Sequence, residues 1–280
     1  MEVKSIRSVV KLSNGVQMPI LGLGVYKSLG KDALEAIDYA LECGYRLIDT
    51  ASFYHNEQEV GKAVRRSGIP REEIFVTTKV WNDDHGYENT LEAFERSRNE
   101  LGMDYVDLYL IHWPVPDKFQ ETWRALERLY KEKKVRAIGV SNFLEHHLQA
   151  IIDGGQFSPM VVQNEFHPRL IQQDLLDFCK GRNIQYQAWS PLMRGRILKN
   201  ELLKRIAEKH NKTVAQVVIR WHLQKEVSPI PKSVHRERIR QNAEVFDFSL
   251  GQEDMALING LDGEERTGAH PDNFMEHFQK

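Results

Sequence analysis

The sequence predicts an α/β protein, a closed (β/α)8 barrel with an N-terminal β-hairpin closing its bottom. Three observations carry this. Short apolar and β-branched runs alternate with stretches of helical periodicity along nearly the whole chain. Parallel neighbours need crossover connections, so strict strand–helix alternation calls for a parallel sheet. Eight such units in 280 residues suit a single closed barrel, which takes roughly 250 residues. An open, doubly wound sheet is the alternative arrangement of the same units. With 41% hydrophobic residues, the chain can bury one large core, and residues 1–280 read as one domain.

The elements follow in order. Ser13-Asn14-Gly15 joins two short segments over residues 9–18, and Asn-Gly signals a hairpin because both positions tolerate positive φ. An antiparallel pair cannot join a parallel barrel but can cover one open end. Residues 20–24 form the first barrel strand. A helix over 31–42 has Ala33, Leu34, Ile37, Ala40 and Leu41 near helical spacing and stops at Cys43-Gly44. Strand two is 46–49; its helix, 57–66, ends at Ser67-Gly68 before Pro70. Strand three, 74–80, precedes a helix over 89–101. Strand four, 106–111, is closed by Pro114 and followed by a helix over 118–133. Strand five, 135–140, leads to a helix over 144–153 that stops at Gly154-Gly155. Strand six, 160–164, precedes a helix over 172–180. Strand seven, 184–189, precedes two helices, 201–210 and 214–224. Strand eight, 227–230, is followed by a helix over 236–245 and a polar tail.

Bulk properties exclude several classes. A net charge of −2 argues against general polyanion or nucleic-acid binding. The N-terminus lacks a signal-peptide pattern, and no run approaches the roughly 20 apolar residues of a membrane helix, so the expected location is the cytoplasm. Cys43 and Cys179 form no CxxC and read as small core residues. Gly22-Leu23-Gly24 lacks the third glycine of a dinucleotide fingerprint, since Lys27 stands there, and there is no Walker motif. The histidines include no HExxH, and His146-His147 are adjacent rather than four apart, so no metal is expected.

In such barrels the active site lies where strands end. Strand two ends at Asp49, with Tyr54 in the loop beyond. Strand three ends at Lys79, with Trp81 two residues on. Strand four ends at His112-Trp113, strand five at Ser141-Asn142, strand six at Gln163 and strand seven at Trp189-Ser190. Strand eight ends at Lys232-Ser233. One rim thus gathers ionisable, amide, hydroxyl and aromatic groups from nearly every unit. A tyrosine hydroxyl has an ordinary pKa near 10. A neighbouring lysine cation stabilises its phenolate, an aspartate holds that lysine charged, and a histidine can orient the same substrate oxygen. Asp49, Tyr54, Lys79 and His112 can fill those roles. Each taken alone also has an ordinary structural reading, as an ion pair, a packed ring or a strand cap.

At these residues the chain resembles the aldo-keto reductase superfamily. The matching segments are GLGVYK, YRLIDTASFYHNEQEVGKAV, IFVTTKVWN, DLYLIHWP, IGVSNF, VVQNEFHP, WSPL and IPKSVHRERIRQN. They run in family order from Gly22 to Asn242. The resemblance implies a barrel with an N-terminal hairpin and NADPH-dependent reduction of a small carbonyl substrate such as glyoxal or methylglyoxal. Tyr54 is then the general acid, Lys79 lowers its pKa, Asp49 pairs with Lys79, and His112 orients the carbonyl. Ser141, Asn142 and Gln163 hold the nicotinamide carboxamide, and Trp189 stacks on the ring. Ser190, Leu192 and Gly195 pass the pyrophosphate. Lys232, Ser233 and Arg238 grip the adenosine 2′-phosphate, and Val234 is a further cofactor-binding residue beside them; two cations and a hydroxyl suit a dianion. Gln241-Asn242 stands where Glu-Asn is frequent, so adenine meets a glutamine carbonyl. The short segment MRGRILKN after strand seven implies an open cofactor groove. Tyr26, Trp81, His112 and Trp113 wall the substrate pocket with Tyr54, and Phe274 and Phe278 are tail candidates. The resemblance also implies a monomer. Two other functions remain on the page: a cofactor-binding auxiliary subunit that senses redox state, and a Schiff-base aldolase using Lys79.

Overall fold

The computed structural model describes residues 3–278. Strands β1 (Val9–Lys11) and β2 (Gln17–Pro19) form the antiparallel hairpin. Gly15 N donates to Leu12 O at 2.8 Å and Leu12 N donates to Val16 O at 2.9 Å. Only Gly15, at φ +89°, is left-handed. The loop is therefore three residues closed by a left-handed glycine, not a two-residue turn with Asn14 also at positive φ. The hairpin lies at the N-terminal end of the strands. Asn14 Nδ2 donates to Arg136 O at 2.9 Å, and Met18 is wholly buried beneath the barrel interior.

The eight parallel strands follow in chain order: β3 (Leu23–Gly24), β4 (Leu47–Asp49), β5 (Phe75–Val80), β6 (Val106–Ile111), β7 (Val135–Ser141), β8 (Val161–Glu165), β9 (Gln185–Trp189) and β10 (Ser228–Pro229). The sheet closes on itself. Gly22 N donates to Pro229 O at 3.1 Å, Gly24 N donates to Pro231 O at 3.2 Å, and Gly24 bridges Lys232 in parallel. That closure decides against the open sheet. The seam is also where the two shortest strands meet, and the sequence explains why. Pro229 and Pro231 have no N–H to return to β3, whereas Ile230 N still donates to Ala188 O of β9 at 3.1 Å. Residues 20–22 carry the chain up from the hairpin, so the first strand is shorter than the apolar run suggests.

Helices α1 (Gly30–Glu42), α2 (Glu57–Arg66), α3 (Tyr87–Leu101), α4 (Phe119–Lys131), α5 (Glu145–Gly154), α6 (Gln173–Gly181), α7 (Glu201–Lys209), α8 (Val214–Gln224) and α9 (Arg236–Ala243) surround the strands. β5 and β6 are buried at every position, as strands covered on both faces must be. Local chemistry sets the ends: Thr213 and Gln216 form a reciprocal capping box that starts α8, at 3.2 and 2.9 Å. Two helices lie in what the sequence presents as a polar tail, α10 (Gln252–Asn259) and α11 (Phe274–Phe278). α10 buries only Asp254 and Ile258, and the aspartate, paired with Lys209 and His210, interrupts the apolar pattern that would have marked it.

α2 crosses α3 so closely that a Cβ on Gly61 would stand 1.9 Å from Leu101 O. Gly61→Ala is expected to lower stability by about 1–3 kcal/mol, read as a fall in Tm; an unchanged Tm would contradict this close crossing.

Candidate active site

The C-terminal rim assembles the four ionisable groups. Lys79, on β5 and wholly buried, donates from Nζ to Asp49 Oδ1 at 2.7 Å and to Thr50 O at 2.8 Å, and reaches Tyr54 Oη at 3.4 Å. A 3-10 turn over Ser52–Tyr54 brings the tyrosine back over β5, fixed by Ser52 Oγ donating to Lys79 O at 3.0 Å. The His112 ring meets the Tyr54 ring edge-on at 5.6 Å, and the Tyr26 ring lies 4.9 Å from Tyr54 on another side.

The Tyr54 hydroxyl, with Lys79 Nζ 3.4 Å away, stands well above its ordinary pKa. Burial is the main cause, with the Asp49 charge and Tyr26 adding to it. Tyr54 therefore keeps its proton in the resting site. His112 is held well below its ordinary pKa by burial, by the Lys79 charge and by His85. It is a neutral imidazole, able to donate a hydrogen bond without competing to carry the proton.

The polar residues of the following strands connect to this group. Gln163 Nε2 donates to Asp49 Oδ2 at 2.7 Å. Asn142, left-handed at φ +63°, donates from Nδ2 to His112 O at 2.9 Å and to Ser141 Oγ at 3.2 Å, while its Oδ1 accepts from Trp189 Nε1 at 2.9 Å. Ser190, Arg194 and Gly195 all have positive φ, and Gly195 N donates to Leu192 O at 2.7 Å. Lys232 and Arg238 are exposed beside the seam and on the first turns of α9, with Ser233 and Asn242 buried and Val234 and Gln241 half-buried between them. Gln241 Nε2 donates to Glu237 Oε1 at 2.8 Å, so its nitrogen is the atom turned to Glu237. Side-chain amides together with two exposed cations fit a dinucleotide phosphate.

Some of the pocket was not legible. Phe53 stacks on Trp81 at 3.8 Å and approaches His112, so it belongs to the aromatic wall with Tyr26, Trp81 and Trp113. Phe274 stacks on Trp113 at 4.9 Å and is 1% exposed; it docks the tail rather than presenting a free face. The Phe278 side chain lies outside the described residues. The tail is also held by Glu165, which accepts from Thr267 N at 2.7 Å, from Gly268 N at 3.1 Å and from the Thr267 hydroxyl. A Cβ on Gly268 would stand 2.5 Å from the Trp189 ring, so only glycine lets the tail lie against that indole. Glu165 closes β8, and a buried carboxylate at a strand end was the one signal for its role.

The fold also brings Asp272 to the adjacent histidines. His146 Nε2 and His147 Nε2 lie 3.0 and 3.4 Å from Asp272 Oδ1. His147 Nδ1 accepts from Leu144 N at 3.2 Å, so in the neutral ring Nε2 carries the hydrogen and donates to the carboxylate. This ties the tail to the start of α5. Burial, followed by the His146 neighbour, pushes His147 down to about 4, although Asp272 opposes this. Burial and Lys118 push His85 down to about 3. Both fall below the unfolded value of about 6.5, so the unfolded chain binds more protons in acid. Their stabilising contribution is complete above about pH 6.5 and is lost as pH falls through about 4. Tm is thus expected to drop on acidification below about pH 6.5, and His85→Phe should flatten part of that drop. An unaltered pH slope in the variant would contradict the assignment.

A closed eight-strand barrel with an Asp–Lys–Tyr–His group gathered at its C-terminal rim has the architecture of a barrel enzyme. The profile of the Aldo/keto reductase family matches residues 21–262, and the chain belongs to that family. Over 272 residues it is 56% identical to glyoxal reductase of Bacillus subtilis (strain 168), covering 97% of this chain and 99% of that protein. It is 44% identical over 271 residues to methylglyoxal reductase DkgA of Escherichia coli (strain K12), covering 95% and 98%. Among solved structures, the Bombyx mori aldo-keto reductase AKR2E4 in complex with NADP superposes with a TM-score of 0.89 at 33% identity, covering 96% of this chain and 97% of that one. No described helix is long and apolar enough to cross a membrane.

Proposed function

We propose that the protein reduces small aldehydes and ketones, glyoxal and methylglyoxal among them, with NADPH, Tyr54 acting as the general acid. The observation that carries this is the Lys79 ammonium held by Asp49 and Thr50 while it reaches the Tyr54 hydroxyl. The names of the relatives and the NADP complex of the silkworm enzyme support it. A carbonyl oxygen docks between Tyr54 and His112, and His112 orients it as a neutral donor. NADPH supplies the hydride to the carbonyl carbon. As charge grows on oxygen, Tyr54 gives up its proton, and the phenolate so formed is stabilised by Lys79. Ser141, Asn142 and Gln163 hold the carboxamide end of the cofactor, and Trp189 carries the ring. Ser190, Leu192 and Gly195 line the pyrophosphate. Lys232, Ser233 and Arg238 take the 2′-phosphate, with Val234 beside them and Gln241 and Asn242 at the adenine. The aldolase reading loses ground, since a lysine hydrogen-bonded to a carboxylate and a carbonyl is protonated and poorly nucleophilic. A cytoplasmic monomer of one domain accompanies this reading.

Loss of NADPH absorbance with purified protein and a panel of short carbonyls tests it. Turnover dependent on substrate establishes the reductase, whereas tight NADPH binding without turnover across the panel would favour a redox-sensing auxiliary subunit. Lys232→Ala is expected to weaken NADPH by roughly ten- to hundredfold and NADH little, by titration of protein fluorescence; equal losses would overturn the 2′-phosphate assignment.

A further inference from the structure

Beneath the rim, the hydrogens of one buried amide can be counted. Gln163 on β8 and Gln187 on β9 face each other in register, 1% and 0% exposed. Gln163 Nε2 lies 2.7 Å from Asp49 Oδ2 and 2.7 Å from Gln187 Oε1. Asp49, ion-paired with Lys79, can only accept, so the Gln163 atom facing it is nitrogen. That nitrogen has two hydrogens; the second meets Gln187 Oε1. Gln187 is fixed in turn, with its own nitrogen toward Met18 Sδ at 4.0 Å. Turning Gln163 over would set its oxygen against the Asp49 carboxylate. Turning Gln187 over would set two N–H groups against each other. Gln163 therefore has no hydrogen left to offer. Its Oε1 receives no hydrogen bond from any described residue, and it is not among the described buried polar atoms that lack a partner.

We infer that Gln187 is a positioning residue for the cofactor: by taking the second amide hydrogen of Gln163, it makes Gln163 an acceptor alone, so the site selects a cofactor whose ring substituent carries an N–H donor. This rests on the placement of the nicotinamide carboxamide at Gln163 proposed above. The selecting pair is Gln163 with Gln187, and Gln187, wholly buried, acts through Gln163.

The test compares the Kd of NADPH with that of its 3-acetylpyridine analogue, in which a methyl group replaces the amide NH2, by fluorescence titration of the full chain. Wild type is expected to bind the analogue roughly ten- to hundredfold more weakly, the cost of leaving one buried acceptor unpaired. In Gln187→Met the freed hydrogen of Gln163 can turn to the acetyl oxygen, so that ratio should fall by about tenfold while NADPH affinity changes far less. Gln187→Leu serves as a second variant should the first fold poorly, and a merely structural role would move both affinities together. An unchanged ratio in a folded Gln187 variant overturns the proposal. Gln163→Leu separates the two levels: loss of discrimination there supports the carboxamide placement, while a wild-type ratio in Gln163→Leu overturns that placement and the proposal with it.

Discussion

Tyr54→Phe is expected to lower turnover by about a hundred- to ten-thousandfold and to leave the Kd of NADPH nearly unchanged. The substitution removes one oxygen and keeps the ring, so packing against Tyr26 and the edge contact with His112 survive. Lys79 loses a 3.4 Å contact but keeps its bonds to Asp49 and Thr50. What disappears is the proton donor. Because burial holds the Tyr54 hydroxyl well above its ordinary pKa, the acid form is present throughout the neutral range. Wild-type turnover should therefore be flat across neutral pH and fall only in alkali, and the residual rate of the variant should lack that alkaline limb. A variant that keeps full turnover, or keeps the alkaline limb, would remove Tyr54 from the role of general acid. Retained NADPH affinity is the control that separates lost chemistry from lost binding.

The barrel was legible because strand–helix alternation is written in local composition, and because the rim rule turns strand ends into a search list. Asp49, Lys79 and His112 could be placed from that rule alone, since each follows or ends a buried run. Tyr54 needed the 3-10 turn, and Gln187 needed the barrel interior: a glutamine in mid-strand looks like an alternation defect until Gln163 and Asp49 are seen beside it. The two prolines at the last strand have no N–H for the seam, and nothing in the sequence says that their carbonyls take the closing bonds from Gly22 and Gly24. Long-range partners account for the remaining gaps. Glu165 meets Thr267 across 102 positions, and Asp107, wholly buried, meets Arg71 and Arg136. No window of the sequence contains both members of those pairs.

Asp49→Asn should be the most destabilising substitution in the site. Asp49 accepts from two donors, Lys79 through Oδ1 and Gln163 through Oδ2, both at 2.7 Å. Asparagine offers one acceptor and one donor to those same two groups, so one contact becomes a clash of N–H groups. If the acceptor stays with Lys79, Gln163 loses its anchor. If it turns to Gln163, a buried ammonium faces a nitrogen. Either way the charge on Lys79 loses its counter-ion in a wholly buried position. Burial already lowers the Lys79 pKa, with Asp49 the main opposing influence, so the lysine would tend to shed its proton and Tyr54 its electrostatic support. Breaking a buried pair in this manner costs about 3–5 kcal/mol, measurable by denaturant titration. Removing both charges together should cost less, because no buried charge is then left without a counter-ion, although Thr50 O loses its bond from Lys79. Asp49→Asn/Lys79→Met is therefore expected to be more stable than Asp49→Asn alone, yet as inactive, since no cation remains to stabilise the phenolate. A double variant no more stable than the single one would mean that the pair contributes through packing and hydrogen bonding rather than through charge.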